Sequence, residues 1–235
     1  MKNKLIGLNK GFWWKNPKGV IVPPESGLTI VDQDFTTYSE SHTDIVINSA
    51  TQVTYSSVTW TDYSLFWKDF GVDYFAGDFE VYFDFNQSYA SNGAGIYFSA
   101  FRNEGNTSYG VRDVLDTGND VLCVYAPPAS STTFNIHCYE ALGVGSINLS
   151  PTAYTGSINT TYYIKFVRSI ANNTLTVYVY SDEARTNLLG SNSITLAKQV
   201  AFRYLFPVNG HGTYVSSTVN QVNGIFSNLK LGLPL

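Results

Sequence analysis

From residue 28 onward, hydrophobic and polar side chains alternate with period two in short runs. In 79–86, Phe79, Val81, Phe83 and Phe85 fall on one face and Glu80, Tyr82, Asp84 and Asn86 on the other. A half-buried strand divides its side chains this way, because successive residues point to opposite faces of a sheet. In 175–180, Leu175, Val177 and Val179 oppose Thr176, Tyr178 and Tyr180, and similar runs occupy 52–60, 94–101, 161–168, 201–206 and 225–231. Turn signals such as 171–173 (Ala-Asn-Asn), Asn209-Gly210 and Asn223-Gly224 separate them. The pattern predicts about a dozen strands in an all-β sandwich. The stretch 181–189 reads as a short helix or, equally, as a long turn, and no fixed-period repeat points to a propeller or solenoid.

Composition narrows the class. Charged residues are 14% of the 235 and aromatic residues 15%, with 17 Tyr and 15 Phe. An average globular chain carries about 25% charged residues, so Ser, Thr, Asn and Tyr must supply much of this surface. The aromatic content excludes disorder for most of the chain, and the length suits one large sandwich domain.

Charge then divides the chain. Residues 1–27 hold Lys2, Lys4, Lys10, Lys15 and Lys18 against Glu25 alone, a balance of +4, which leaves −8 on the rest. We therefore expect a basic, aromatic N-terminal arm at 1–27 and a body at 28–235, with the boundary near Pro23-Pro24. The arm reads as a first strand and surface crossing, or as a docking arm in which Phe12, Trp13 and Trp14 anchor in a partner while Lys10 and Lys15 meet an acidic surface. Five lysines with no arginine and no recognisable module argue against nucleic acid. The apolar stretch Leu5, Ile6, Leu8 is broken by Gly7, so no export signal and an uncleaved start are expected. No apolar run approaches the roughly 18 residues of a membrane span.

Two cysteines lie in 121–140. If the hairpin centre falls between Ser130 and Ser131, Cys123 stands directly opposite Cys138, as a cross-strand disulfide or as two small buried thiols. Reduced thiols are the expectation without an export signal, and no metal-ligand spacing is present. His42, His137 and His211 are scattered and read as surface or loop residues. The loop 113–120 gathers Asp113, Asp116 and Asp120 and reads as a solvated acidic turn rather than a calcium site, because it lacks the twelve-residue calcium-loop spacing.

The segments 35–59, 67–85 and 160–189, with 201–206 (AFRYLF) and 224–231 (GIFSNLKL), resemble a concanavalin A-like (laminin G-like) jelly-roll domain of the type found in phage virion proteins. The resemblance covers 28–231 and leaves the arm outside. It implies two antiparallel sheets of about six or seven strands, terminal strands close together, and a turn at 181–189. The superfamily hosts lectins, glycan hydrolases and virion modules alike, so fold alone does not choose among them.

Hydrolytic relatives place two glutamates and an aspartate at alternate positions of one strand. Here the best counterpart is Glu80 with Asp84, four residues and about 13 Å apart along a strand. Glycosidase carboxyl groups stand roughly 5–5.5 or 6.5–9.5 Å apart, so this pair is too wide. Asp78, after Gly77, is expected to cap a turn. Sugar binding needs only aromatic platforms beside polar groups, and Tyr82, Tyr178 and Tyr180 with Glu80 and Asp84 offer such a face. Outward tyrosines also serve sandwiches simply by pairing across strands.

The leading expectation is a non-enzymatic virion structural or decoration protein of a phage, docked on a capsid or tail through its arm and able to bind host glycans. A free glycan-binding lectin comes second and a glycan hydrolase third. No cofactor, metal, membrane or nucleic-acid partner is expected; other virion proteins, cell-surface glycans and further copies in a homo-oligomer are.

Overall fold

The computed structural model describes residues 14–15, 21–22, 27–41, 43–59, 64–91, 94–103, 111, 119–143, 145–212 and 221–234, with 14–15, 21–22, 59, 94, 211 and 212 described by backbone alone. Strands β1 (Trp14–Lys15) and β2 (Ile21–Val22) pair with each other in a separate two-stranded ladder. The body follows as β3 (Leu28–Asp32), a 3-10 turn at Phe35–Thr37, β4 (Ser39–Glu40), β5 (Ile45–Ser49), β6 (Gln52–Thr59), β7 (Leu65–Asp69), β8 (Phe79–Ala90) and β9 (Ala94–Arg102). Then come β10 (Val121–Ala126), β11 (Thr133–Leu142), β12 (Ser146–Leu149), β13 (Tyr154–Ser157), β14 (Thr161–Ser169), β15 (Thr174–Tyr180), β16 (Leu188–Thr195), β17 (Tyr204–Gly212) and β18 (Gln221–Pro234).

These strands form two eight-stranded antiparallel sheets. Sheet I runs β16-β15-β14-β8-β18-β6-β5, with β3 beside β18; sheet II runs β12-β11-β10-β9-β17-β7-β4, with β13 beside β11. Each sheet is seven strands across, because β3 continues the edge of β18 beyond β6 and β13 continues the edge of β11 beyond β12, in line with the six or seven strands that the resemblance implied. The first and last strands of the body are neighbours, Leu28 opposite Pro234 and Asp32 opposite Lys230.

The inward residues of both sheets meet in one aromatic core. Phe79 of β8 stacks on Phe101 of β9 at 4.2 Å, Phe83 on Phe226 of β18 at 4.9 Å, and Phe85 lies 4.7 Å from Phe98. Such ring pairs add roughly 0.5–1.5 kcal/mol each beyond their area burial. Several bulges bend the sheets, and at three of them sits a non-glycine residue with positive φ: Ser57 in β6, Ser99 in β9 and Asn228 in β18.

Two expectations are corrected here and one open reading is decided. The β10–β11 register pairs Cys123 with Tyr139 and Val124 with Cys138, so the cysteines lie on opposite faces of sheet II as free buried thiols. The amides of Ala129 and Ser130 both bond the Thr133 carbonyl, which centres the hairpin on Ser131 rather than between two serines. His137 is a buried residue of β11, and His211 belongs to β17, not to a loop. The 181–189 stretch holds no helix: 181–187 is a turn and Leu188 starts β16. His42, Asp113 and Asp116 lie outside the described residues, as do Lys10, Phe12 and Trp13; of Trp14 and Lys15 the backbone alone is described. No helix is long and apolar enough to cross a membrane among the described residues.

Candidate functional site

The alternation that buries Phe79, Val81, Phe83 and Phe85 turns Glu80, Tyr82 and Asp84 to the outer face of sheet I. Register carries neighbours onto that face. Lys165 of β14 stands between Tyr82 and Tyr178, and Tyr163 stands between Asp84 and Tyr180. All five residues singled out for glycan contact thus share one surface, joined by Tyr163, Lys165 and Arg185, which pattern reading left out. Lys165 and Tyr163 were visible as the polar half of the 161–168 alternation. Arg185 was not, since it arrives from a loop.

This surface is tightly cross-linked. Lys165 Nζ pairs with Glu80 Oε1 at 2.9 Å, and the Tyr82 hydroxyl donates a short hydrogen bond to Glu80 Oε2. Asp84 accepts from Arg185 Nη2 and from Asn228 Nδ2, each at 2.7 Å. Arg185 also donates to the Ile164 and Phe83 carbonyls at 3.2 Å, and its guanidinium lies over the Tyr82 ring at 5.5 Å and the Tyr163 ring at 5.9 Å. Lys165 covers Tyr82 at 5.4 Å. The carboxylates are consequently 6% and 3% exposed rather than open to solvent. Burial raises the Asp84 pKa against the lowering contributions of Asn228 and Arg185. Burial first, then the bond to Glu80, pushes the Tyr82 hydroxyl far above its usual value.

Both carboxylates are thus engaged by neighbours, Glu80 by Lys165 and Tyr82 and Asp84 by Arg185 and Asn228. Tyr82, Tyr163, Tyr178 and Tyr180 are half-buried, and the hydroxyls and amides around them can donate and accept. The arrangement is a cross-linked, aromatic and hydrogen-bonding surface.

The outer face of sheet II is the opposite case. Tyr97, Val121, Cys123, Tyr139, Ala141 and Phe206 form a second buried cluster there, joined by Val111 from the β9–β10 connection and flanked by half-buried Trp67, Tyr125 and Tyr204. One cross-strand row reads Leu65, Asn209, Tyr97, Tyr125 and His137. Tyr97 stacks on Tyr125 at 4.6 Å. His137 Nδ1 lies 2.9 Å from the Ser150 carbonyl, which can only accept, so Nδ1 carries the proton and Nε2 is left as an acceptor when the ring is neutral. Asn209 is 0% exposed, and among the described residues neither its amide oxygen nor its nitrogen has a hydrogen-bond partner. Sequence pattern missed this face because strands buried on both sides read as continuous apolar runs, as in Val121–Ala126.

Elsewhere, Asp120 pairs with Lys198 Nζ at 3.2 Å and accepts the Gly143 amide, and Asp78 accepts the Ile170 amide at the entry to β8, the turn role expected of it. Among the described residues, no group of three or more His, Cys, Asp or Glu side chains is placed to hold a metal ion.

No family model and no curated protein matches the chain. Its likenesses are to solved structures. The basic winged bean lectin with Tn-antigen superposes with a TM-score of 0.56 at 11% identity, over 87% of this chain and 98% of that one. The VIP36 exoplasmic/lumenal domain in its Ca2+/Man3GlcNAc-bound form gives 0.55 at 12% identity, over 88% and 90%. The alginate lyase from Alteromonas sp. 272 gives 0.50 at 8% identity, over 83% and 93%. Likenesses at such identities speak to architecture, and the architecture they share with this chain is the concanavalin A-like jelly roll.

Proposed function

We propose that this protein is a carbohydrate-binding jelly-roll module without hydrolytic activity, whose ligand surface is the outer face of sheet I. The observation that carries the reading is the quartet Tyr82, Tyr163, Tyr178 and Tyr180, half-exposed and fixed around Lys165 and Arg185. Rigid tyrosines offer large contact area at low entropic cost, and the surrounding hydroxyls and charged donors suit a ligand rich in hydroxyl groups. The fold is compatible with this role, since the winged bean and VIP36 structures hold glycans on the same architecture. Commitment of Glu80 and Asp84 to Lys165 and Arg185 supports binding over hydrolysis.

The module is further read as a phage virion component, attached to a capsid or tail through residues 1–27. The supports are the charge opposition of arm and body, the aromatic run Phe12, Trp13, Trp14 flanked by Lys10 and Lys15, and a β1–β2 ladder that pairs with no third strand among the described residues. A free lectin is the alternative, and detection of the chain in purified particles separates the two.

Glycan-array binding followed by tryptophan and tyrosine fluorescence titration tests the ligand surface. Tyr178→Ala and Tyr180→Ala should each weaken binding roughly tenfold, in line with the ~1–3 kcal/mol of an aromatic stacking contact, while a reducing-sugar assay stays flat. Retained affinity in both variants would overturn the assignment to sheet I. A second surface is favoured by one observation, the unpartnered Asn209 amide beside Tyr97 and Tyr125. If Asn209→Leu, and not the tyrosine variants, abolishes binding, the ligand lies on sheet II.

A further inference from the structure

At one end of the sandwich a groove of about 290 Å³ opens between β3, the end of β18 and the loop that precedes β8, lined by Val31, Tyr74, Phe75, Asp78, Leu233 and Pro234. Its apolar walls are open: Val31 is 50% and Tyr74 48% exposed. The charged residues near it are acidic. Asp78 lines it and Asp73 is exposed next to Tyr74, whereas Asp32 at the end of β3 is already paired with Lys230 at 3.1 Å. Along one wall β3 pairs only with β18, so among the described residues its other edge carries unpaired amides and carbonyls. Such an edge is a template for an added strand.

We propose that this groove and edge receive the N-terminal arm of a second copy of the chain, an inference that rests on reading residues 1–27 as a docking element. The complementarity is chemical on both counts. The arm brings five lysines and the apolar side chains Phe12, Trp13 and Trp14 to a groove whose walls are apolar and whose rim is acidic. Two structural facts bear on the arm as the occupant. The arm's described strands, β1 and β2, pair with each other and leave the β3 edge untaken. A two-residue ladder is also marginal in water by itself, so it draws its stability from a host surface. Leu28, the first residue of β3, has as its strand partner Pro234, which lines the groove. Head-to-tail exchange through two different surfaces builds a ring when its rotation closes.

Light scattering on the size-separated full-length chain tests this, with circular-dichroism melts to establish folding of each variant. The wild-type chain should self-associate, less so at high salt. Val31→Lys places a cation among the arm's lysines at a half-exposed position, and Trp13→Ala/Trp14→Ala removes the anchors. Each should weaken association roughly tenfold or more, as loss of an interface anchor does, with melting unchanged. Association lost in the tryptophan variant but intact in Val31→Lys would overturn the groove assignment and leave the arm as a docking element. Association intact in both would overturn the docking arm as well. A wild-type chain monomeric at every concentration would overturn the second copy as the occupant.

Discussion

Asp84 sits where alternation predicts a solvent-facing carboxylate, yet the loop 181–187 and the bulge at Asn228 close over it. Arg185 and Asn228, which hold it, both adopt left-handed backbone conformations, φ +53° and +55°. Strained conformations persist where their surroundings over-determine them, and here the shared object is one buried carboxylate. Its pKa is raised above 3.8, whereas Asp182, which accepts from the Thr186 and Asn187 amides in the same loop, has its pKa lowered by those bonds. The two acids therefore respond to pH with opposite sign. Asp182 stabilises the fold above the unfolded value near 3.8 and loses that contribution as pH falls below its folded value. Asp84 binds its proton more tightly when folded, so the fold gains as pH falls through the folded value toward 3.8. Urea midpoints taken from neutral pH down to about pH 3 should thus show wild type gaining on Asp84→Asn and losing ground to Asp182→Asn. A stability difference for Asp84→Asn that stays constant across that range would contradict the buried, proton-retaining carboxylate.

Strands buried on one face were legible because their pattern has period two: β8, β14 and β15 lie where alternation puts them, and the tyrosine face follows from it directly. Elements whose position depends on distant contacts were not. β17 runs on to Gly212, beyond the predicted 206, because a bulge at Phe206 and Pro207 lets the strand continue past a residue with no amide hydrogen to donate. The cysteine register slipped by one because a hairpin axis on a residue and an axis between residues look alike in sequence, and the difference flips a side chain through the sheet. Arg185 could not be found at all, since a loop residue obeys no period. Close approach of strands is equally silent. A Cβ on Gly224 of β18 would press on the Tyr55 hydroxyl and on the Asn86 carbonyl of β8, and the latter is backbone that cannot turn aside. Gly224→Ala should therefore destabilise by about 1–3 kcal/mol, the range of core overpacking, read as a lower urea midpoint at unchanged slope. Gly27→Ala, where nothing lies within 4 Å among the described residues, is the matched control and should leave the midpoint in place.

For the molecule as a whole, the decisive strand is the last one. β18 is central in sheet I, pairing β8 on one side and β6 and then β3 on the other, so the sheet cannot close until the C-terminal segment is present. Pairing this distant in sequence makes folding slow, on the order of milliseconds to seconds for all-β domains. It also brings the two ends of the body together, since Leu28 and Pro234 face each other across an antiparallel ladder. Antiparallel neighbours can be joined by a two-residue turn such as Asn-Gly. A circular permutant that links Pro234 to Leu28 by Asn-Gly, opens the chain at the exposed hairpin tip beside Ser131 and omits the arm should fold to the same sandwich with a single cooperative melt. Because the tyrosine face is built entirely from β8, β14, β15, β18 and the 181–187 loop, glycan affinity should match that of the full chain while self-association is lost. A permutant that folds and still self-associates would place the contact between copies on the body rather than the arm. One that fails to fold, although a control opened at the same tip and left unlinked associates from its two pieces, would mean that the terminal strands are not neighbours in the way the β3–β18 ladder requires.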